Sequence, residues 1–273
     1  MPLQLPHDWI APDWPAHLRV RAFCTTRRGG VSAPPLDSLN LGQFVGDDPQ
    51  AVAANWAAVQ TVLDSEGGPV HTVRTLQVHG SRVVAAHSGT PAGLEADACT
   101  TAEPGVACVT MAADCLPVLL ADCAGTRVAA AHAGWRGLAG GVLEAALQPF
   151  WPPAPVHQAP AAINSGAQVL AWIGPGIGPQ AFEVGAEVRE AFVAHDPAAA
   201  AHFTARPGGK FLADLPALAR QRLRAAGVSA VYGNDSSPAW CTAGQPSRFF
   251  SHRRDSAVLG RSGRMAACIW LAA

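Results

Sequence analysis

Short apolar runs broken by glycine and proline dominate the chain, and most have the length and residue types of strands. Residues 20–25, 73–78, 83–86, 106–111, 116–121, 128–131, 169–173, 228–232 and 265–271 carry this pattern, and 248–253 reads as a further strand. Helical spacing is rarer. Asp47-Asp48-Pro49 supplies an acidic cap with proline in the first turn, after which Val52, Trp56, Val59 and Leu63 share one face. Residues 138–150 turn helical through Leu143 and Leu147, and another helix is predicted over 184–195. Asp214 caps a third, with Leu215, Leu218 and Leu223 inward and Gly227 as its stop. Residues 151–162 read as a proline-rich loop. Strands outnumber helices without strict alternation, which predicts a mixed α/β (α+β) fold layered around central sheet. No repeat or linker interrupts the pattern, so residues 1–273 are read as a single domain.

Composition narrows the partners. The chain is 49% hydrophobic and only 14% charged, enough to bury a sizeable core. Its net charge is -1 and its one lysine is Lys210, which argues against a nucleic-acid surface or a polybasic membrane contact. The first residues lack the basic and apolar regions of a secretory signal, and no apolar run is long enough to span a bilayer. The seven cysteines are odd in number and scattered, with Cys24, Cys99, Cys108, Cys123 and Cys268 in apolar or strand-like surroundings. Reduced thiols in a cytoplasm fit that distribution better than a disulfide framework.

Candidate chemistry concentrates at three places where an apolar run ends in a soft ligand. They are Gln77-Val78-His79-Gly80, Ala113-Asp114-Cys115-Leu116-Pro117 and His132-Ala133-Gly134-Trp135-Arg136-Gly137. Two imidazoles and a thiol suit a zinc site whose fourth position is left for water or substrate. Taken singly, each residue also reads as an ordinary core or surface group. The glycines around Trp135 and Arg136, and those of Gly174-Pro175-Gly176-Ile177-Gly178, fit either an anion-binding corner or a rigid connection. Arg253-Arg254-Asp255 fits a phosphate clamp or a solvated charge cluster. The chain has no His-x-His pair, which leaves multicopper oxidase chemistry poorly supported by the residues themselves.

In their shared order these segments closely resemble the YfiH family, a purine nucleoside phosphorylase group formerly labelled polyphenol oxidase or multicopper laccase-like. The match also includes Thr25-Thr26-Arg27, Ser38-Leu39-Asn40-Leu41-Gly42, Val45-Gly46-Asp47-Asp48-Pro49, Asp97-Ala98, Phe182-Glu183-Val184-Gly185 and Phe249-Phe250-Ser251. The resemblance implies a layered α/β/β/α sandwich of the cysteine hydrolase-like type. It implies Zn2+, with copper possible in its place, held by His79, Cys115 and His132 at the catalytic centre. It implies phosphorolysis of adenosine, inosine and S-methyl-5'-thioadenosine to free base and ribose 1-phosphate, and deamination of adenosine to inosine. On that reading Arg136 and Arg253 are candidates for phosphate, and Asn40 for a ribose hydroxyl or base edge. Editing of the peptidoglycan precursor UDP-muramyl-L-serine is an alternative, and a copper-dependent, laccase-like oxidoreductase a more distant one. A closed four-ligand metal scaffold without catalysis is a further reading. A cytoplasmic monomer or weak homodimer, acting on purine nucleosides and phosphate without nucleic-acid or membrane partners, completes the expectation. His252 and Phe182 stand where tyrosine is common in that family.

Overall fold

The computed structural model describes residues 4–6, 8–65, 68–151 and 168–273. The apolar runs assemble into two stacked sheets with helices on both outer faces. One sheet has six strands in the order β12 (Ala230–Gly233), β8 (Val169–Ile173), β6 (Leu116–Asp122), β7 (Val128–Ala133), β4 (Ala98–Thr101) and β3 (Val83–Ala85). Its middle strands are antiparallel, and the outer pairs β12–β8 and β3–β4 are parallel. The other sheet has four strands, β1 (Val20–Cys24), β13 (Met265–Leu271), β5 (Val106–Ala112) and β2 (His71–Arg74).

The two-residue period of a strand sorts the side chains between layers. Leu119, Ala121, Ala130 and Cys99 meet Cys108, Ala267 and Ile269 in the core between the sheets. The alternate residues Val118, Leu120, Ala129 and Ala131 pack on α3 (Val142–Leu147) and α5 (Leu215–Ala225). On the far face of the four-stranded sheet, Phe23, Val109 and Trp270 pack on Val59 and Leu63 of α1 (Pro49–Asp64). The result is an α/β/β/α sandwich. Because both faces of β6 and β7 are covered, those strands read as unbroken apolar runs instead of alternating ones. A small sheet of β9 (Glu183–Val184), β11 (Lys210–Ala213) and β10 (Phe203–Arg206) lies beside α4 (Ala186–Val193).

Some sequence expectations change. The helix over 138–150 is broken into α2 (Trp135–Ala139), α3 and a short 3-10 turn, because Gly141 adopts φ 91°, outside helical space. Residues 248–253 form no strand. Phe249 and Phe250 are fully buried side chains, and Ser251 instead caps α6 (His252–Leu259). Its hydroxyl accepts from the Arg254 N–H, while the Asp255 carboxylate accepts from the Ser251 N–H at 3.0 Å, so reciprocal capping outweighs the strand preference of the aromatic pair. The strand predicted over 73–78 ends at Arg74, and the chain leaves the ladder as a loop towards His79. The proline-rich stretch predicted over 151–162 lies outside the described residues beyond Trp151. All seven cysteines are free, and Cys123 is exposed, not apolar-packed as its neighbours suggested.

Candidate metal centre

Three structural units deliver the predicted ligands. His132 lies in β7, Cys115 in the turn between β5 and β6, and His79 in the loop after β2. The antiparallel register pairs Pro117 with His132 and Leu116 with Ala133, which sets Cys115 beside Gly134. The ligand atoms of His79, Cys115 and His132 all lie within 4.8 Å of one another. Cys115 Sγ is 3.7 Å from His79 Nε2, and the two imidazoles meet edge to face with centroids 4.8 Å apart. The cluster grades from buried His132 through half-buried Cys115 to exposed His79. Gly134 makes the approach possible. A β-carbon there would lie 2.7 Å from the His79 ring and 2.9 Å from Cys115 Sγ.

Asp97, just before β4, organises two of the three ligands. Its buried carboxylate accepts hydrogen bonds from the backbone N–H groups of Val78 (3.1 Å), His79 (2.8 Å) and Gly80 (2.7 Å). It also pairs with His132 Nδ1 at 2.8 Å. His79 has φ 62°, an uncommon conformation for a non-glycine residue, and the Asp97 bonds hold it there. With Nδ1 committed to Asp97, His132 offers Nε2 to a metal, since a carboxylate on the other ring nitrogen fixes the tautomer and orients the imidazole. Burial pushes the Asp97 carboxyl up, but the hydrogen bonds from His132, Gly80 and Val78 outweigh it and hold the pKa below the usual carboxylate value.

A second carboxylate fixes the thiol. Asp114, at φ 88°, accepts from the Thr242 hydroxyl at 2.5 Å and from the Arg253 backbone N–H at 2.6 Å, tying the Cys115 turn to the start of α6. Burial pushes the Cys115 thiol up, but the charge and hydrogen bonds of His132 and His79 overcome this and bring its pKa to about 6. Burial likewise lowers His132, while Cys115 and Asp97 raise it to about 9. The donor set, its spacing and the small residue between them fit a tetrahedral, thiolate-accepting ion.

The cluster opens on a cavity of about 570 Å³ whose walls include Trp56, Arg74, Thr75, Met111, His252 and Arg264. No aspartate or glutamate is among the described residues that line it. The other sequence candidates lie outside its lining. Arg136 is exposed on α2, with its guanidinium 4.4 Å over the Trp135 ring. Arg253 donates to the carbonyls of Ala181 and Glu183. Asn40 is fully buried behind the wall. Its amide oxygen accepts from the backbone N–H groups of Gly42 and Arg264, each at 2.9 Å, so it braces two residues that do face the cavity. The glycine loop 174–178 packs tightly instead of cradling a ligand. A β-carbon on Gly176 would lie 2.4 Å from Leu116, and the Ile177 N–H donates to the Asp114 carbonyl.

The layered sandwich and its His-Cys-His centre define a class of α/β/β/α proteins with a metal-capable cavity. A family model described as "Multi-copper polyphenol oxidoreductase laccase" matches residues 21–272. A Pseudomonas aeruginosa protein named a purine nucleoside phosphorylase is 49% identical over 264 residues, covering 96% of this chain and 98% of that protein. Escherichia coli YfiH, also named a purine nucleoside phosphorylase, is 46% identical over 262 residues, with the same coverage. Among solved structures, a Neisseria meningitidis protein superposes with a TM-score of 0.84 at 44% identity, covering 98% of this chain and all of that one. YlmD from Geobacillus stearothermophilus gives 0.84 at 30% identity, covering 99% and 98%. The chain belongs to the YfiH family, and so to a family of enzymes.

These findings correct the expectation of a copper-dependent, laccase-like oxidoreductase, despite the family model's description. The relatives are named phosphorylases, and among the described residues no sheet closes into a barrel. Among the described residues, the three-ligand cluster is the one group able to hold a metal. No helix of the described residues is long and apolar enough to cross a membrane.

Proposed function

We propose that the protein is a zinc-dependent purine nucleoside enzyme that cleaves adenosine, inosine and S-methyl-5'-thioadenosine with phosphate and deaminates adenosine. The observation that carries this reading is the His79-Cys115-His132 cluster opening on a cavity that holds arginines and no carboxylate. The names of the relatives support the substrate class. His79, Cys115 and His132 would hold the ion, whose chemistry when bound is Lewis-acid polarisation and the lowering of a water's pKa. In phosphorolysis, a phosphate oxygen forms a bond to the anomeric carbon as the carbon–nitrogen bond to the purine breaks. The bonding pair leaves with the base, which takes up a proton. The cavity would hold both reactants together. His252 is the imidazole in its lining outside the ligand set, with Nδ1 paired to the Ser256 hydroxyl at 2.7 Å. On this reading it is the residue that protonates the departing base.

The test is to incubate the zinc-loaded and chelator-stripped protein with inosine and phosphate, and to separate the products by chromatography. Hypoxanthine and ribose 1-phosphate in equal amounts from the loaded protein alone support the reading. Equal turnover without metal removes zinc from it. Release of L-serine from UDP-muramyl-L-serine, with nucleosides untouched, replaces it with precursor editing.

A further inference from the structure

Several buried or half-buried arginines are saturated by the protein itself. Arg220 gives its guanidinium to the carbonyls of Val231, Gly233 and Asn234. Arg222 pairs with Glu144 at 2.8 Å. Arg254 bonds Asp255 and the carbonyls of Thr242 and Phe249. Such pairing is what desolvation demands of a buried or half-buried cation.

Arg74 is different: among the described half-buried arginines without a side-chain hydrogen bond, it is the one that lines the cavity. It ends β2, is half-buried, and lines the cavity. Among the described residues its guanidinium has no carboxylate partner and donates no hydrogen bond. It lies over the Trp56 ring, 4.3 Å from Cζ to the centroid. That ring is itself fixed, because Trp56 Nε1 donates to the Leu41 carbonyl at 3.0 Å. The tryptophan holds the guanidinium against an aromatic face while leaving its N–H groups free.

The neighbourhood repeats the imbalance. Thr75, the next residue, is buried, lines the same cavity, and its hydroxyl has no partner among the described residues. Arg264 uses Nη1 on the carbonyls of Ser262 and Gly263 and leaves Nε and Nη2 without a protein acceptor among the described residues. Its main chain is pinned by Asn40. A wall rich in donors and free of carboxylates is complementary to a tetrahedral oxyanion, which guanidinium forks bind in bidentate fashion.

We propose that Arg74, laid on Trp56 and assisted by Thr75, is a phosphate-binding residue of the cavity, with Arg264 as a second cation in the same lining. The proposal rests on the nucleoside-phosphorylase reading for the identity of the anion, but its own test needs no turnover. The phosphate group has two sources, inorganic phosphate as co-substrate or a phosphate ester carried by the substrate.

The experiment titrates inorganic phosphate into the zinc-loaded wild-type protein and into R74Q, R74K, T75V and W56F, by calorimetry, with thermal melting as the check on folding. R74Q should weaken phosphate binding by about tenfold or more, and R74K, which keeps charge but loses the fork, should restore only part of it. T75V and W56F should each weaken it by a smaller factor. Phosphate held by the metal alone would be indifferent to all four, and unchanged affinity in folded R74Q and W56F overturns the proposal. A parallel titration with inosine and inosine 5'-monophosphate separates the sources. A gain from the 5'-phosphate that vanishes in R74Q assigns the residue to a substrate ester. Loss of inorganic phosphate binding with no such gain assigns it to the co-substrate. If Arg74-dependent binding is found in a protein that cleaves no nucleoside, the phosphorolysis reading falls and the oxyanion site stands.

Discussion

Asp97 and His132 are joined by a 2.8 Å contact from carboxylate to ring Nδ1, and the same carboxylate holds the main chain at His79. One side chain thus presets two ligands, one on a loop and the other on β7. Asp97→Ala should lower zinc affinity by about 10–100-fold, as loss of an outer-shell partner typically does. Competition against a chromogenic chelator measures it. Asp97→Asn, which keeps the shape but loses charge and acceptor capacity, should fall between the two. Wild-type affinity in both variants would remove Asp97 from the centre.

Gly134 offers a different handle. A methyl group there enters the space between His79 and Cys115 without touching either core. Gly134→Ala should therefore reduce bound zinc well below one per chain while far-UV circular dichroism is unchanged. Full zinc occupancy in the variant would show that the ligands can move aside, contrary to this account.

His252 lies in the cavity lining but outside the ligand set. His252→Phe should leave zinc content intact and slow inosine cleavage by about a hundredfold, the lower end for loss of a general acid. His252→Tyr should recover part of the rate. An unaltered kcat in the phenylalanine variant would assign proton transfer elsewhere.

The core thiols set a pH limit on stability. Burial raises Cys24 to about 12, and burial also raises Cys108 and Cys268 above the usual thiol value. A raised folded pKa means that the unfolded chain loses its proton first. The stabilising contribution is complete below the ordinary thiol pKa of 9.0 and is lost as pH climbs towards about 12. For Cys24 this amounts to roughly a kcal/mol per pH unit in that window. Melting temperatures between pH 8 and pH 11, taken for wild type and Cys24→Ala, test this: the variant should show the shallower decline. Parallel curves would mean that Cys24 ionises alike in both states.

What the sequence made legible follows from locality. β6 and β7 were visible as apolar runs because both faces are covered, and His79, Cys115 and His132 because each is a reactive type at the end of such a run. Asp97 carried a matching motif but no visible role, since its partners are backbone groups of the 78–80 loop and a histidine 35 residues on. Arg74 looks like any arginine closing a strand; its place in the cavity lining, with no acceptor among the described residues, sets it apart. Arg136 and Arg253 stand out through their motifs, yet neither lines the cavity. Helix α6 was missed because the buried Phe249-Phe250 pair mimics a strand, whereas the Ser251 cap acts one residue later.

The ligand set straddles the seam of the sandwich. His79 hangs from the edge of the four-stranded sheet, His132 belongs to the six-stranded one, and Cys115 sits where the chain crosses from β5 to β6. Any shear of one sheet over the other must therefore change the angles at which an ion is gripped. Packing between Leu119, Cys108 and Ile269, none of them a ligand, becomes a tuning element for coordination. An ion bound there would in turn act as a rivet between the layers.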